Sequence, residues 1–237
     1  MMILQLGYLG LTTLMVILIS IMGKNAIDKT VSDKKTRKKK LFLLVGGLIL
    51  WQLYQLAIGT SGFLTDFSLP PRFLFCLVLP AFLFTGVFLT KNRKKDWIMA
   101  IPESWLTYIQ SFRILVEILF IFSVSAGVLH PTVTIEGYNF DMIFGASALI
   151  MWLFTYKIKL IPKPILILWN YLGITILMSV IFLFVSAVYF PNIWGETEMM
   201  PTEFAKAPYV LVAGFLMPSA IFIHVLSIIR LRRELHK

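Results

Sequence analysis

Long apolar runs, broken at intervals by short polar segments, set the pattern of this chain. Stretches near 3–23, 41–60, 71–90, 104–128, 141–156, 164–189 and 208–229 read as helices, and most reach the roughly 20 residues that cross a bilayer's hydrocarbon layer. The fourth is the best marked, because Ile101-Pro102-Glu103 puts proline and an acid where a helix begins. The fifth is short, which implies little tilt or a locally thinned bilayer. What is left between seven such spans is too short for a separate folded unit. The expectation is therefore one transmembrane domain over 1–237, an all-α bundle of seven transmembrane helices. No internal repeat is visible, so the paired-repeat layout of many secondary transporters is not predicted.

Charge gives the bundle a direction. Nineteen of the 22 Lys and Arg residues fall in four tracts, Lys24 to Lys40, Lys91 to Lys95, Lys157 to Lys163 and Arg230 to Lys237, at every second break. Basic loops stay on the cytoplasmic side, so the N-terminus is expected outside and the C-terminus in the cytoplasm. Trp97, Trp105, Trp152, Tyr156, Tyr189 and Trp194 fall where headgroup-level anchors are expected. The formal charge of +10 would suggest a nucleic-acid partner in a soluble protein. Topology and attraction to anionic lipid already account for it, and the partner expected is the lipid bilayer, with no nucleic acid. The single cysteine, Cys76, lies in an apolar run and cannot form an intrachain disulfide. Met1 to Met22 lacks the basic start and small-residue cleavage site of a signal peptide.

Against this background the polar residues inside the spans stand out. A charge near mid-bilayer costs at least about 2.5 to 3.5 kcal/mol on insertion scales, and Arg113 and Glu117 both fall near mid-depth. Their spacing of four lets them pair along one helix face, with Gln110 on the same stripe. The second span offers Gln52, Gln55 and Gly59 on one face at similar depth. Arg72 follows Pro70-Pro71 at the outer mouth of the third span, where snorkelling also explains it, and Glu136, Asn139 and Asp141 lead into the fifth. Together these residues predict a polar funnel open to the outside. Arg113 and Glu117 would sit at its base with Gln52 and Gln55 beside them, and Arg72, Glu136, Asn139 and Asp141 at its mouth. Its mixed charge suits a zwitterion, a cation or a proton better than a phosphate-rich anion. The outer segments His130 to Asp141 and Pro191 to Ala207, the latter with Glu196, Glu198 and Glu203, could cover it. A buried pair that only locks helices together fits Arg113 and Glu117 equally well.

His224 admits a proton-linked role or a packing hydrogen bond, and Asn170 reads as packing. No two histidines have ligand spacing, so no metal and no cofactor is expected. Gly59-Thr60-Ser61-Gly62 matches the motif around intramembrane serine protease nucleophiles, yet no histidine can serve as base: His224 falls at the opposite membrane face and His130 in a loop. A retinal Schiff base wants a lysine in the middle of the seventh span, and Lys206 lies at its outer end. The Asp-Arg-Tyr and Asn-Pro-x-x-Tyr motifs of G-protein-coupled receptors are missing, and seven spans alone carry no function.

At these polar residues the chain resembles a family of uncharacterised bacterial multi-pass membrane proteins. The resemblance runs from about residue 60 onward through Pro70-Pro71-Arg72, Arg113 with Glu117, Glu136-Gly137-x-Asn139-Phe140-Asp141, Trp169-Asn170, and Pro218 with His224. The chain departs from that pattern at Leu115, where relatives carry proline, and at Leu211-Val212-Ala213, where they carry Trp-Leu-Pro. The resemblance implies a bacterial cytoplasmic-membrane protein and points to the same polar residues. The function expected is binding or transport of a small polar solute, ion or proton. The alternative is a noncatalytic assembly or partner-binding subunit.

Overall fold

The computed structural model describes residues 1–195 and 200–236; Glu196 and Glu198 of the expected outer cover lie outside them. Every regular element among the described residues is helical. In order these are α1 (Met2–Thr30), α2 (Lys34–Thr60), α3 (Leu79–Asn92), α4 (Trp97–Ala100), α5 (Glu103–Tyr108), α6 (Phe112–Ser125), α7 (Asp141–Trp152), α8 (Lys163–Tyr189) and α9 (Met217–Leu235). Wider π turns lead into α3 (Leu74–Val78) and α9 (Val212–Leu216) and follow α7 (Leu153–Lys157). The fourth expected span is not one uniform helix, because a 3₁₀ turn at Ile109–Ser111 joins α5 to α6.

Among the described residues six segments are long and apolar enough to cross a membrane: Met2–Thr30, Lys34–Thr60, Leu74–Asn92, Glu103–Ser125, Lys163–Tyr189 and Val212–Leu235. The stretch expected over 141–156 is helical, but its 12-residue α-helix and five-residue π turn fall short of that length. Helix ends move where side chains give them a reason. Asp33 caps α2 by accepting the Thr36 N–H at 2.7 Å, which draws the basic run into the helix. The last span starts at Val212 and not at 208, because Thr202–Ala205 forms a 3₁₀ turn and the chain turns again before it.

α9 is the centre of the bundle, packed on α8, α5, α3 and α4, and 67% of its most apolar stretch is buried. α2 is the opposite case at 6%. It leans on α1 and attaches to the π turn before α9, with Trp51 Nε1 donating to Gly214 O at 2.8 Å and Gly59 O accepting from Ala207 N at 3.2 Å. Gln55 lies so close to Gly214 that a Cβ there would have no room.

The end of the bundle that carries the basic tracts is tied by ions. Arg230 pairs with Glu103 at 2.9 Å and with Glu234, and Lys163 reaches Glu234 at 2.6 Å. Tyr156 donates to Glu103 at 2.9 Å, so this expected headgroup anchor joins α7's π turn to α5. Four segments distant in sequence meet there.

Candidate functional site

The segment between α6 and α7 explains why α7 is short. It folds back into the bundle, burying Val128, Leu129, Thr132, Val133, Thr134 and Asn139. Buried irregular backbone needs its polar groups paired, and here they are paired along the segment. Val128 N donates to Ser123 O at 2.8 Å, Tyr138 N to Thr132 O at 3.0 Å and Asn139 N to Thr134 O at 3.1 Å. From the α6 side, Glu117 Oε1 accepts the N–H of Ile135 at 2.5 Å.

The string Glu136-Gly137-x-Asn139-Phe140-Asp141 is the stitching of this segment. Asn139 Nδ2 donates to Glu117 Oε2 at 3.3 Å and to Val133 O at 3.1 Å, while its Oδ1 accepts Asp141 N at 3.0 Å. A Cβ on Gly137 would lie 2.5 Å from the carbonyl oxygen of Thr132. Asp141 opens α7, where a carboxylate also meets the positive end of the helix dipole. Glu136 is exposed.

Arg113 joins α6 to α7 and α9. Spacing allowed it to pair with Glu117, but its partner is Asp141, held by two bonds, Nε to Oδ2 at 2.9 Å and Nη2 to Oδ1. Its guanidinium also lies over the Phe144 ring, 4.6 Å from the centroid, and Nη1 is 3.3 Å from His224 Nε2. Asn170 Nδ2 is committed to Leu166 O at 2.7 Å, so its Oδ1 is the acceptor 2.9 Å from His224 Nδ1. His224 therefore carries its proton on Nδ1 and offers the Nε2 lone pair to Arg113, which makes it a neutral imidazole. Gly173 leaves the space that the His224 ring fills, and Gly145 lets α7 approach the Arg113 backbone. Phe144 stacks on Trp169 at 4.8 Å, and Trp169 Nε1 donates to Ser147 at 3.0 Å.

A cavity of about 120 Å³ adjoins this network. Its wall is mostly apolar, with Phe112 and Val116 of α6, Leu177 and Val180 of α8, and Leu216 and Ala220 near α9 among the residues that form it. Arg113, Glu117 and Asp141 are the charged groups of the lining, with Asn139, Tyr8 and Tyr209 as polar neighbours. Arg113 and Asp141 neutralise one another. Among the described residues Glu117 has no basic side chain within ion-pair distance, only the two N–H donors given above.

Several expected members lie elsewhere. Gln52 and Gln55 bond each other at 3.4 Å and serve the docking of α2, away from Arg113. Gln110 is on the buried stripe and donates to Ala220 O at 3.0 Å. Arg72 forms a half-exposed pair with Asp66 at 2.6 Å and covers the Phe63 ring. The Ser68 N–H and hydroxyl, with Arg72 beside them, hold the Asp66 carboxyl below its ordinary range. The expected polar funnel is thus an apolar cavity with polar groups gathered at one end. Ser61 bonds Ile58 O at 2.7 Å within its own turn. Among the described residues no cluster of His, Cys, Asp and Glu could hold a metal ion. Phe144, Ser147, Gly145 and Gly173 were not singled out by their sequence pattern, because aromatic and small residues in apolar helices are common. Comparison with protein-family models, curated proteins and solved structures finds no match to this chain.

Proposed function

We propose that the chain is a seven-span protein of a bacterial cytoplasmic membrane, N-terminus outside and C-terminus in the cytoplasm. It binds and moves a small cationic or zwitterionic solute, an ion or a proton. The family resemblance is part of this proposal, and α7 with the folded-back segment before it would make the remaining crossing. One observation carries the ligand reading: Glu117, a buried acid with no basic partner, lines a cavity at the end where Arg113 and Asp141 also gather. A mainly apolar cleft with a few convergent polar groups is the usual form of a small-ligand site.

The alternative of a noncatalytic assembly subunit draws on α2, of whose apolar stretch only 6% is buried by its own chain. Thermal-shift measurements on the purified protein separate the two. Sodium, choline, glycine and ethanolamine are each added to the parent and to Glu117→Gln, and at least one is expected to raise the parent's midpoint while leaving the variant unmoved. Identical responses in both proteins would remove Glu117 from any site and advance the assembly reading.

A further inference from the structure

The cavity has more room for hydrocarbon than for a polar solute, and it is open on one side. Its walls from α6 and α9 are buried at Phe112, Val116, Leu216 and Ala220. Val78, Leu177 and Val180 of the π turn before α3 and of α8 are buried, but farther along the same two elements Leu74, Ile181 and Val188 are only partly covered and Val185 is exposed. Neither α3 nor that π turn packs closely on α8, while the π turns before α3 and α9 do meet. Both π turns contribute to the wall, through Leu74 and Val78 and through Val212 and Leu216. Such turns widen a helix and recur at functional sites.

We propose that the occupant is a single-chain cationic amphiphile. Its amine head sits against Glu117, and its chain runs along Val116, Leu177 and Val180 to leave the protein between Leu74 and Val188, toward lipid. This deepens the ligand reading above and rests on it. Three features select that chemistry. The unpaired carboxylate asks for a cation, because the only nearby guanidinium is already bonded to Asp141. The cavity of about 120 Å³ is close to the 150 Å³ or so that holds an apolar ring in a dry core. The uncovered gap lets a chain longer than the cavity continue outward. A polar solute would leave that apolar wall facing a hydrated ligand, forfeiting the burial that favours binding.

The test is equilibrium binding of radiolabelled dodecylamine to the full-length protein in phosphatidylcholine nanodiscs, with empty discs subtracted. Saturable binding is expected, displaced at least about tenfold less well by dodecanol or by ethanolamine than by unlabelled dodecylamine. Glu117→Gln should weaken it to the level of dodecanol. Val188→Phe, at the partly exposed rim where folding is little disturbed, should weaken dodecylamine about tenfold and leave ethanolamine unchanged. Sphingosine, a single-chain amine held in the bilayer, identifies the source when added to the disc: displacement points to a membrane aminolipid, and its failure to a free amphiphile of the same chemistry. If ethanolamine competes as well as dodecylamine and Val188→Phe has no effect, the chain is not recognised and the amphiphile proposal falls while the small-solute reading stands. If neither compound binds above empty discs, the amphiphile proposal falls, and the thermal-shift responses to sodium, choline and glycine decide the small-solute reading.

Discussion

Arg113 is 1% exposed and spends every bond it makes on its neighbours, so the cost of disturbing it depends on what is left behind. Removing one member of a buried ion pair strands the other, at about 3–5 kcal/mol, whereas replacing both by apolar groups of similar size can be neutral. Asp141→Leu alone should therefore lower the thermal midpoint strongly, and Arg113→Leu with Asp141→Leu should recover much of that loss. Thermal unfolding of the three proteins in one detergent measures it; a double variant no better than the single would show that Asp141 acts chiefly through Asn139 and the start of α7. The sequence made the right residues visible but not the pairing. A spacing of four brings Arg113 and Glu117 onto one face, yet side chains in a bundle choose partners across helices, and Asp141 lies 28 residues away. Asn170 reads from sequence as a packing group and His224 as a packing or a proton-linked one, but the guanidinium that meets His224 is not legible there, because nothing local records which helices touch.

At the scale of elements, apolar length located every long helix but missed the devices that interrupt them. A π turn adds no polar residue and leaves no Gly or Pro signature in Leu74–Val78, so a run of apolar letters reads straight through it. The folded-back segment was read as a covering loop because loops normally run over the surface. Glu117 and Asn139 satisfy part of its buried backbone, and neither bond is written in spacing. Gly137 is the tightest point of that segment, with the Thr132 backbone 2.5 to 2.7 Å from where a Cβ would stand. Gly137→Ala must therefore push Thr132 and its neighbours aside, a steric cost of about 1–3 kcal/mol. The change should lower the thermal midpoint and speed amide exchange across 128–139, whereas Gly46→Ala, mid-helix where nothing lies within 4 Å, should leave that exchange unchanged and not lower the midpoint. Equal effects at the two glycines would mean that the segment is not locked in the way its contacts indicate.

For the whole molecule, the two ends of the bundle carry different chemistry, and that difference makes the orientation testable. Lys34, Arg93 and Lys159 stand in the basic tracts, while Thr65 and Glu136 stand at the other end, beside the cavity loops. Basic loops resist translocation, so cysteines at 65 and 136, in a Cys76→Ala background, should react with a membrane-impermeant maleimide in sealed cells. Cysteines at 34, 93 and 159 should react only after permeabilisation. Position 136 is the better probe of its loop than 134, because Thr134 is buried and would be silent on either side. The decisive comparison is 136 against 159, since α7 alone separates them and its helical length is marginal for a crossing. At about 1.5 Å per residue, Asp141–Lys157 rises roughly 25 Å, a little less than a hydrocarbon layer of about 30 Å. On the seven-span proposal the remainder comes from the buried segment before it, which Glu117 helps to hold. If 136 and 159 label from the same side, α7 does not complete a crossing, the seven-span topology fails, and the cavity loops and the C-terminal tract would have to be reassigned to one face.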